Sequence, residues 1–545
     1  MKAIIILTWL AAGVSLNAAN RDKLPGPLFD GLGNHHHPVT AQSKPAQRYF
    51  DQGLTLLYAF NHKEAIRSFR SAARLDPDCA MAWWGVSYAY GPHVNKPMSR
   101  EDNDEAWAAL QQALALMSKV SPHEQAYLAA LSKRYQAEFG EDRSALDKAF
   151  ATAMREVVKE YPDDLDAQTL FAEALMNTMP WDYWAKDRSP KPETEEAIAA
   201  LRYVIARNPD HPGANHFYIH AVEAGPTPEL GIPAADRLGG FAPDAGHLVH
   251  MPSHIYMRVG QYHNATLANE KAARADRAYL RQCAAQGFYP GAYYPHNLHF
   301  LWWALVFEGR STEAMRAASQ AAQYANENYC GPRKAIEAPR LRHLPWLTAA
   351  RFGRWEEVLK VAQPSATNDF LLDRALWHFA RGLAFAARQQ ADAAAREQAE
   401  LASLAHSEEA RKLDNPYFPA TRVLTIADHL LAGKVAGARG DQTAMLEHLE
   451  KAVAVEDALP YMEPAYWPFP TRHALGAALL QTGNAARAEQ VFREDLKIFP
   501  RNGWGLFGLE QSLRAQGRSQ LADTVSRQLR ETWKRADVKL DLAAF

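Results

Sequence analysis

GLTLLYAFNHKEAIRSFRSAARLDP, residues 53–77, decides how the whole chain is read. Its small and apolar positions, Ala65, Phe69 and Ala72, recur at steps of three and four, the period of one helix face. A polar turn precedes them, and Gly53 and Leu54 begin an earlier helix. Pro77, inside LDPD, ends the pair because proline cannot continue a helix. Far downstream the order returns as Gly483, Ala488, Phe492 and Pro500. Nearly every other segment also has a helical period. Ala, Leu, Glu, Arg and Gln dominate, and runs of β-branched residues are scarce.

Short paired helices with a period near 34 resemble the tetratricopeptide repeat (TPR) family, whose unit is a helix–turn–helix of that length. The resemblance covers most of residues 46–535. The segments Trp83–Gly85, His250–Tyr256, Tyr293–Phe300 and Tyr461–Pro470 resemble, in that order, a group of bacterial exported TPR proteins with no established activity. The resemblance implies an all-α solenoid whose first helices face a concave groove through unit positions 2, 5, 9 and 12. Such a curved stack has the means to close into one cavity shared by its two halves. The repeat is weakest over 94–150, 225–245 and 363–440. Pro226–Pro243, rich in Gly and Pro, is expected to be a long loop.

The 545 residues suffice for a large core, and 14 Trp, 21 Tyr and 22 Phe argue against disorder. A net charge of -2, with no basic stripe, gives no reason to expect nucleic acid as a partner. MKAIIILTWLAAGVSLNAAN has a charged start, an apolar run and small residues, the pattern of a secretory signal peptide over 1–19. A periplasmic or secreted protein without a membrane span is expected. The domain reading is a signal peptide (1–19), an extended leader (20–45), an N-terminal solenoid with a histidine-rich groove (46–335) and a C-terminal solenoid (336–545). His35, His36 and His37 in the leader are read as a local polar loop rather than ligands. Cys79 reads as core. Cys283 and Cys330 lie near turns, and export would permit them to pair.

Nine of the 21 histidines fall between His211 and His299. Registering each unit by its own turn residues sets position 1 at Pro212, Gly246, Pro295, Pro339 and Phe469. Position 5 is then His216, His250, His299, His343 and His473. Position 9 is His220 and His254, and position 2 is His247 and His296. Residues four apart share a helix face, so each His-x3-His pair is able to chelate one ion. Neighbouring helices at about 8–10 Å bring two such pairs within reach of each other.

The expected metal ligands are therefore His216, His220, His247, His250, His254, His296 and His299. Neutral imidazoles suit copper, zinc, iron or nickel far better than calcium or magnesium, and copper is placed ahead of zinc and iron. Paired His-x3-His helices also suit a two-metal centre. Glu173 and Glu223 are the candidate catalytic bases or carboxylate ligands. Trp181, Tyr294, His343, Glu463, Arg472 and His473 are candidate groove-lining residues, with Glu463 and Arg472 also placed for a local ion pair. Motifs for nucleotide phosphates, dinucleotides, H-E-x-x-H zinc proteases, haem attachment and serine hydrolases are absent.

The functional expectation is an exported helical-repeat protein with a transition-metal site on its concave face, acting as an oxidative or hydrolytic metalloenzyme on a small molecule or peptide. Two alternatives stand beside it. One is a non-catalytic scaffold for a peptide or protein partner. The other is a small-molecule binder whose histidines only hydrogen-bond the ligand.

Overall fold

The computed structural model describes residues 26–283, 287–328, 338–367, 370–415 and 418–542. The expected signal peptide, the first part of the leader and Cys330 lie outside these residues. The chain is all helical apart from turns and three isolated bridges, with no sheet among the described residues. Helices follow one another in antiparallel pairs. Lys44–Tyr58 pairs with His62–Leu75, Pro212–Glu223 with Ile232–Phe241, Tyr294–Phe307 with Ser311–Glu327, and Thr471–Gln481 with Ala485–Ile498. No helix among the described residues is long and apolar enough to cross a membrane.

The opening stretch shows why these sequences pair. Phe69 is wedged between two backbones at positions without a side chain. A methyl group on Gly53 would lie 2.6 Å from the Phe69 ring, and one on Gly85 would lie 2.5 Å from it. Phe492 is held the same way, at 2.4 Å from a methyl on Gly476 and 2.1 Å from one on Gly508. In both places an aromatic ring on a second helix needs glycine on the two first helices that flank it. The turn inside a pair requires a left-handed residue, and Gly260, Gly309, Gly353, Gly440, Gly483 and Gly517 supply it with positive φ. In the first pair that place belongs to Phe60, at φ 54°.

Two hydrophobic cores meet near residues 344–347, one built from Leu32 to Leu344 and the other from Leu347 to Val525. The C-terminal repeats fold back on the middle ones. Tyr262 donates to the Pro500 carbonyl at 2.8 Å, Phe307 and Phe499 lie 5.4 Å apart, and the backbone N–H of Ser311 donates to Asp537 at 2.6 Å. The superhelix thus closes on itself.

Two expectations change here. Pro226–Pro243 is not a long loop, because it holds a 3-10 turn at Pro228–Gly231 and the helix Ile232–Phe241. Ala234, Ala235 and Leu238 bury one side of that helix, and tertiary packing overrides its weak local propensity. The leader histidines are also not a local polar loop, because His35 and His37 reach Asp166, while the leader as a whole packs on the first repeats. Its Leu32 is buried, Phe29 and Pro27 bond Gln52, and Thr40 bonds Glu124. Cys79 is buried, and Cys283 is half-buried beside Glu64.

Candidate metal centre

Three helical segments carry the histidine wall. Pro212–Glu223 presents His216, His220 and Glu223 on one face. In the next unit Met251 and Pro252 break the first helix into Gly246–His250 and Pro252–Arg258. His250 and His254 still face each other across the break, with ring centres 4.9 Å apart. A short π-helical turn, Tyr289–Tyr293, then leads into Tyr294–Phe307 and aims His296 at the same place, 4.9 Å from His250 and 5.7 Å from His254. Such turns re-aim side chains and recur at functional sites.

Six imidazoles converge in two groups of three. His216, His220 and His247 bring one nitrogen each within 4.8 Å of one another, and so do His250, His254 and His296. Second partners hold the rings. His216 Nδ1 donates to the Tyr58 carbonyl at 2.6 Å, and His220 Nδ1 to Glu223 Oε1 at 2.7 Å. His250 Nδ1 donates to Asn269 Oδ1 at 2.6 Å, whose amide nitrogen is fixed by the Ala265 carbonyl. These bonds put the hydrogen on Nδ1 and leave the lone pair on Nε2. Nε2 of His216 and His220, and both nitrogens of His247, are buried with no hydrogen-bond partner. The Nε2 atoms of His250 and His254 approach to 3.0 Å.

The electrostatics agree with donor rings. Burial lowers His216, His247, His250 and His296 well below 6.5, so these imidazoles are neutral at pH 7. Burial also lowers His220, against the opposing charge of Glu223. His254 goes the other way. Burial lowers it, but Glu223 and Glu463 outweigh burial and raise it to about 9. Its Nδ1 lies 2.5 Å from Glu223 Oε2 and 3.2 Å from Glu463 Oε2. Burial would raise Glu223, yet His254 and His220 bring it down to about 2. Burial holds Glu463 above its ordinary range.

The wall opens on a cavity of about 560 Å³ bounded by His220, His247, His254 and His296 on one side and by Tyr461, Glu463 and Arg340 on the other. Both halves of the solenoid therefore enclose it. Trp181 borders it, edge-on to His220 at 5.1 Å, with its N–H donating to Asn95 Oδ1 at 3.0 Å. Tyr293 lies 4.4 Å from His247. Beneath the rings sits Phe60, 4.6 Å from His216 and 5.6 Å from His247.

Other candidate residues are placed elsewhere. Glu173 is buried with Tyr88 and Asn177, away from the imidazoles. His299 stacks on Trp302 at 5.6 Å and faces a separate small pocket with His343, which itself meets Asp373 at 3.3 Å. Tyr294 turns to Tyr324, with ring centres 4.7 Å apart. His473 lies between Arg351 and Asp495 in the C-terminal half. Glu463 and Arg472 do not pair with each other. Arg472 grips Asp457 at 2.7 and 2.8 Å, while Glu463 reaches His254.

A second histidine cluster gathers at the leader. Asp166 Oδ1 receives His35 Nε2 at 2.9 Å, His211 Nε2 at 3.2 Å and the Tyr58 hydroxyl at 2.6 Å. Asp166 Oδ2 receives His37 Nδ1 at 2.9 Å. His211 Nδ1 also accepts the Ala214 N–H at 3.1 Å, so its hydrogen sits on Nε2 and points at Asp166. Burial lowers His37, but the Asp166 bond and charge outweigh it and raise it to about 9. Burial would raise Asp166, yet His35, His211 and His37 hold it well below 3.8.

The reading by repeat register did not identify Phe60, Tyr58, Asn269 or the Asp166 cluster. Phe60 carries a detectable signal, because it stands where six other turns have glycine, although Gln389 takes the same place in a later pair.

No protein-family model and no curated protein matches the chain. Among solved structures, human IFIT1 in a dimer with PPP-AAAA is similar at 11% identity and a TM-score of 0.33, over 90% of this chain and 91% of that one. Cut9 in the APC/C hetero-tetramer Cut9-Hcn1 is similar at 12% identity and a TM-score of 0.29, over 90% and 76%. Yeast Tom70 is similar at 12% identity and a TM-score of 0.26, over 90% and 92%. Likenesses this distant bear on neither the site nor its chemistry.

Proposed function

We propose that this protein is a metalloenzyme with a two-ion centre, one ion held by His216, His220 and His247 and the other by His250, His254 and His296. The observation that carries this reading is the orientation of the rings. Nδ1 of His216, His220 and His250 is committed to acceptors, Nε2 of His216 and His220 and both nitrogens of His247 have no protein partner, and Nε2 of His250 meets only Nε2 of His254. Glu223 then acts as an outer acceptor for one histidine of each group, an arrangement that fixes tautomers and raises ligand basicity. Three imidazole nitrogens per ion, with His254 giving up its proton on binding, favour copper over zinc or iron, since copper stands highest in the affinity series for such donors.

Three protein ligands leave each ion an open position toward the cavity. A cavity of about 560 Å³, with Pro97 and Lys412 exposed at its mouth, has the size of a small-molecule site. A copper pair would make the reaction an oxidation and a zinc pair a hydrolysis, with Glu223 and Glu463 the buried carboxyl groups on the cavity wall. The amino-terminal sequence supports an exported location, and cell fractionation of the full chain tests it.

Metal analysis of the protein purified without an affinity tag tests the centre. Two equivalents of copper per chain are expected after reconstitution. Retention of no transition metal, or of an equal amount in the His250→Ala/His254→Ala variant, would overturn the reading.

A further inference from the structure

The concave face continues past the histidines into the C-terminal repeats. There, Leu344–Arg351, Leu371–Ala387, Ala420–Ala438 and Thr471–Gln481 surround a second cavity of about 420 Å³. Phe379, Leu383, Trp467 and Phe469 give it an apolar wall. Two cations, Arg351 and Lys434, also line it, and no Asp or Glu is among the described lining residues.

Arg351 is held from behind. Its Nη2 donates to His473 Nδ1 at 2.7 Å, and His473 Nε2 donates to Asp495 at 3.1 Å. Asn502 supports Asp495 at 2.8 Å, and the guanidinium carbon lies 3.6 Å from the centre of the Trp504 ring. This chain of contacts uses one nitrogen, and the guanidinium also lies 5.4 Å from the centre of the Phe469 ring. Arg351 Nε has no partner, and neither has the indole N–H of Trp467, another lining residue. The unmet polar atoms on these lining residues are thus donors. Burial, followed by the charge of Arg351, lowers Lys434 from 10.5 to about 8. Arg351 and Lys434 make this stretch of the wall positive, although the Asp495 charge reaches Arg351 from behind, and an anion between the two cations is favoured.

We infer that this cavity is a binding site for a small organic carboxylate with an apolar or aromatic body, its carboxylate placed between Arg351 and Lys434. The volume matches that of pockets for small ligands. An inorganic anion would leave the apolar wall unused and would surrender its hydration for little return. The donor set is independent of the metal centre, because none of its residues contacts the six imidazoles.

Calorimetric titration of the full-length protein with benzoate, phenylacetate and octanoate, and with their neutral amides, tests the site. At least one acid is expected to bind once per chain and its amide about ten-fold or more weaker. Lys434→Met should weaken the acid by a similar factor and Lys434→Arg should retain it, both with unchanged metal content and unchanged melting. Failure of all three acids to bind at millimolar concentration would overturn the inference. So would equal binding of acid and amide, or a Lys434→Met variant that binds as the parent does.

Discussion

The two histidine clusters use the same side chain for opposite ends. At the leader, the nitrogens of His35, His37 and His211 that face Asp166 are spent on its carboxylate, and His211 spends its other nitrogen on a helix terminus. That cluster is a clasp, with its hydrogens already assigned. On the concave wall the hydrogens of His216, His220 and His250 point outward to acceptors, which leaves the Nε2 lone pairs of His216 and His220 unspent and turns that of His250 toward His254. That cluster has capacity to spare. The location of each carboxylate decides the difference. Asp166 sits at the focus of its rings, whereas Glu223 sits behind His220.

Four changes break or sharpen this contrast. The largest effect is expected from His250→Ala/His254→Ala, which should remove at least one of the two metal equivalents while leaving the leader docked; elemental analysis and limited proteolysis of the leader read the two outcomes. Next, Asp166→Ala removes the shared acceptor of four buried donors. Breaking a buried charged network costs about 3–5 kcal/mol, so chemical denaturation should show a large loss while bound metal per folded chain stays unchanged. Glu223→Gln keeps the shape and removes the outer carboxylate. Loss of such an orienting partner lowers metal affinity by about 10- to 100-fold, measurable by competition with a chelator.

The smallest effect is on pH dependence. His37 is raised from 6.5 to about 9, so its contribution is complete below pH 6.5 and disappears as pH rises through about 9. Asp166 is depressed, so its contribution fails only on the acid side, below the ordinary carboxylate value of 3.8. Melting temperature should therefore fall by a few degrees between pH 6.5 and 9, and His37→Gln should lessen that slope without removing it, since His254 is raised to about 9 as well. A parent protein with a level profile over this interval would remove the clasp from the account.

Much of this was legible from local pattern. Phe69 flanked by Gly53, and the glycine turns that set the register, announced the helix pairs. The same register put His216, His220, His250, His254, His247 and His296 on one wall, because spacing along a helix fixes the direction a side chain takes. It failed where direction depends on closure. His299 shares position 5 with His216 and His250 yet turns to Trp302, and Glu463 meets His254 rather than nearby Arg472. No local period encodes a contact between the two ends of a ring. Asp166 was hidden for a related reason, since its partners come from the leader, the first repeat and a later one. Proline and glycine misled over 226–243, where buried alanines decide the helix.

The approach of Glu463 to His254 has a consequence for biogenesis. The six imidazoles leave the ribosome long before the segment that seals their chamber, so the nascent protein passes through a stage with its donors present and its far wall missing. A polypeptide released before residue 459 would keep every nitrogen ligand and lack the barrier that separates them from bulk solvent. Assembly of the chamber wall is thus tied to synthesis of residues 461–463.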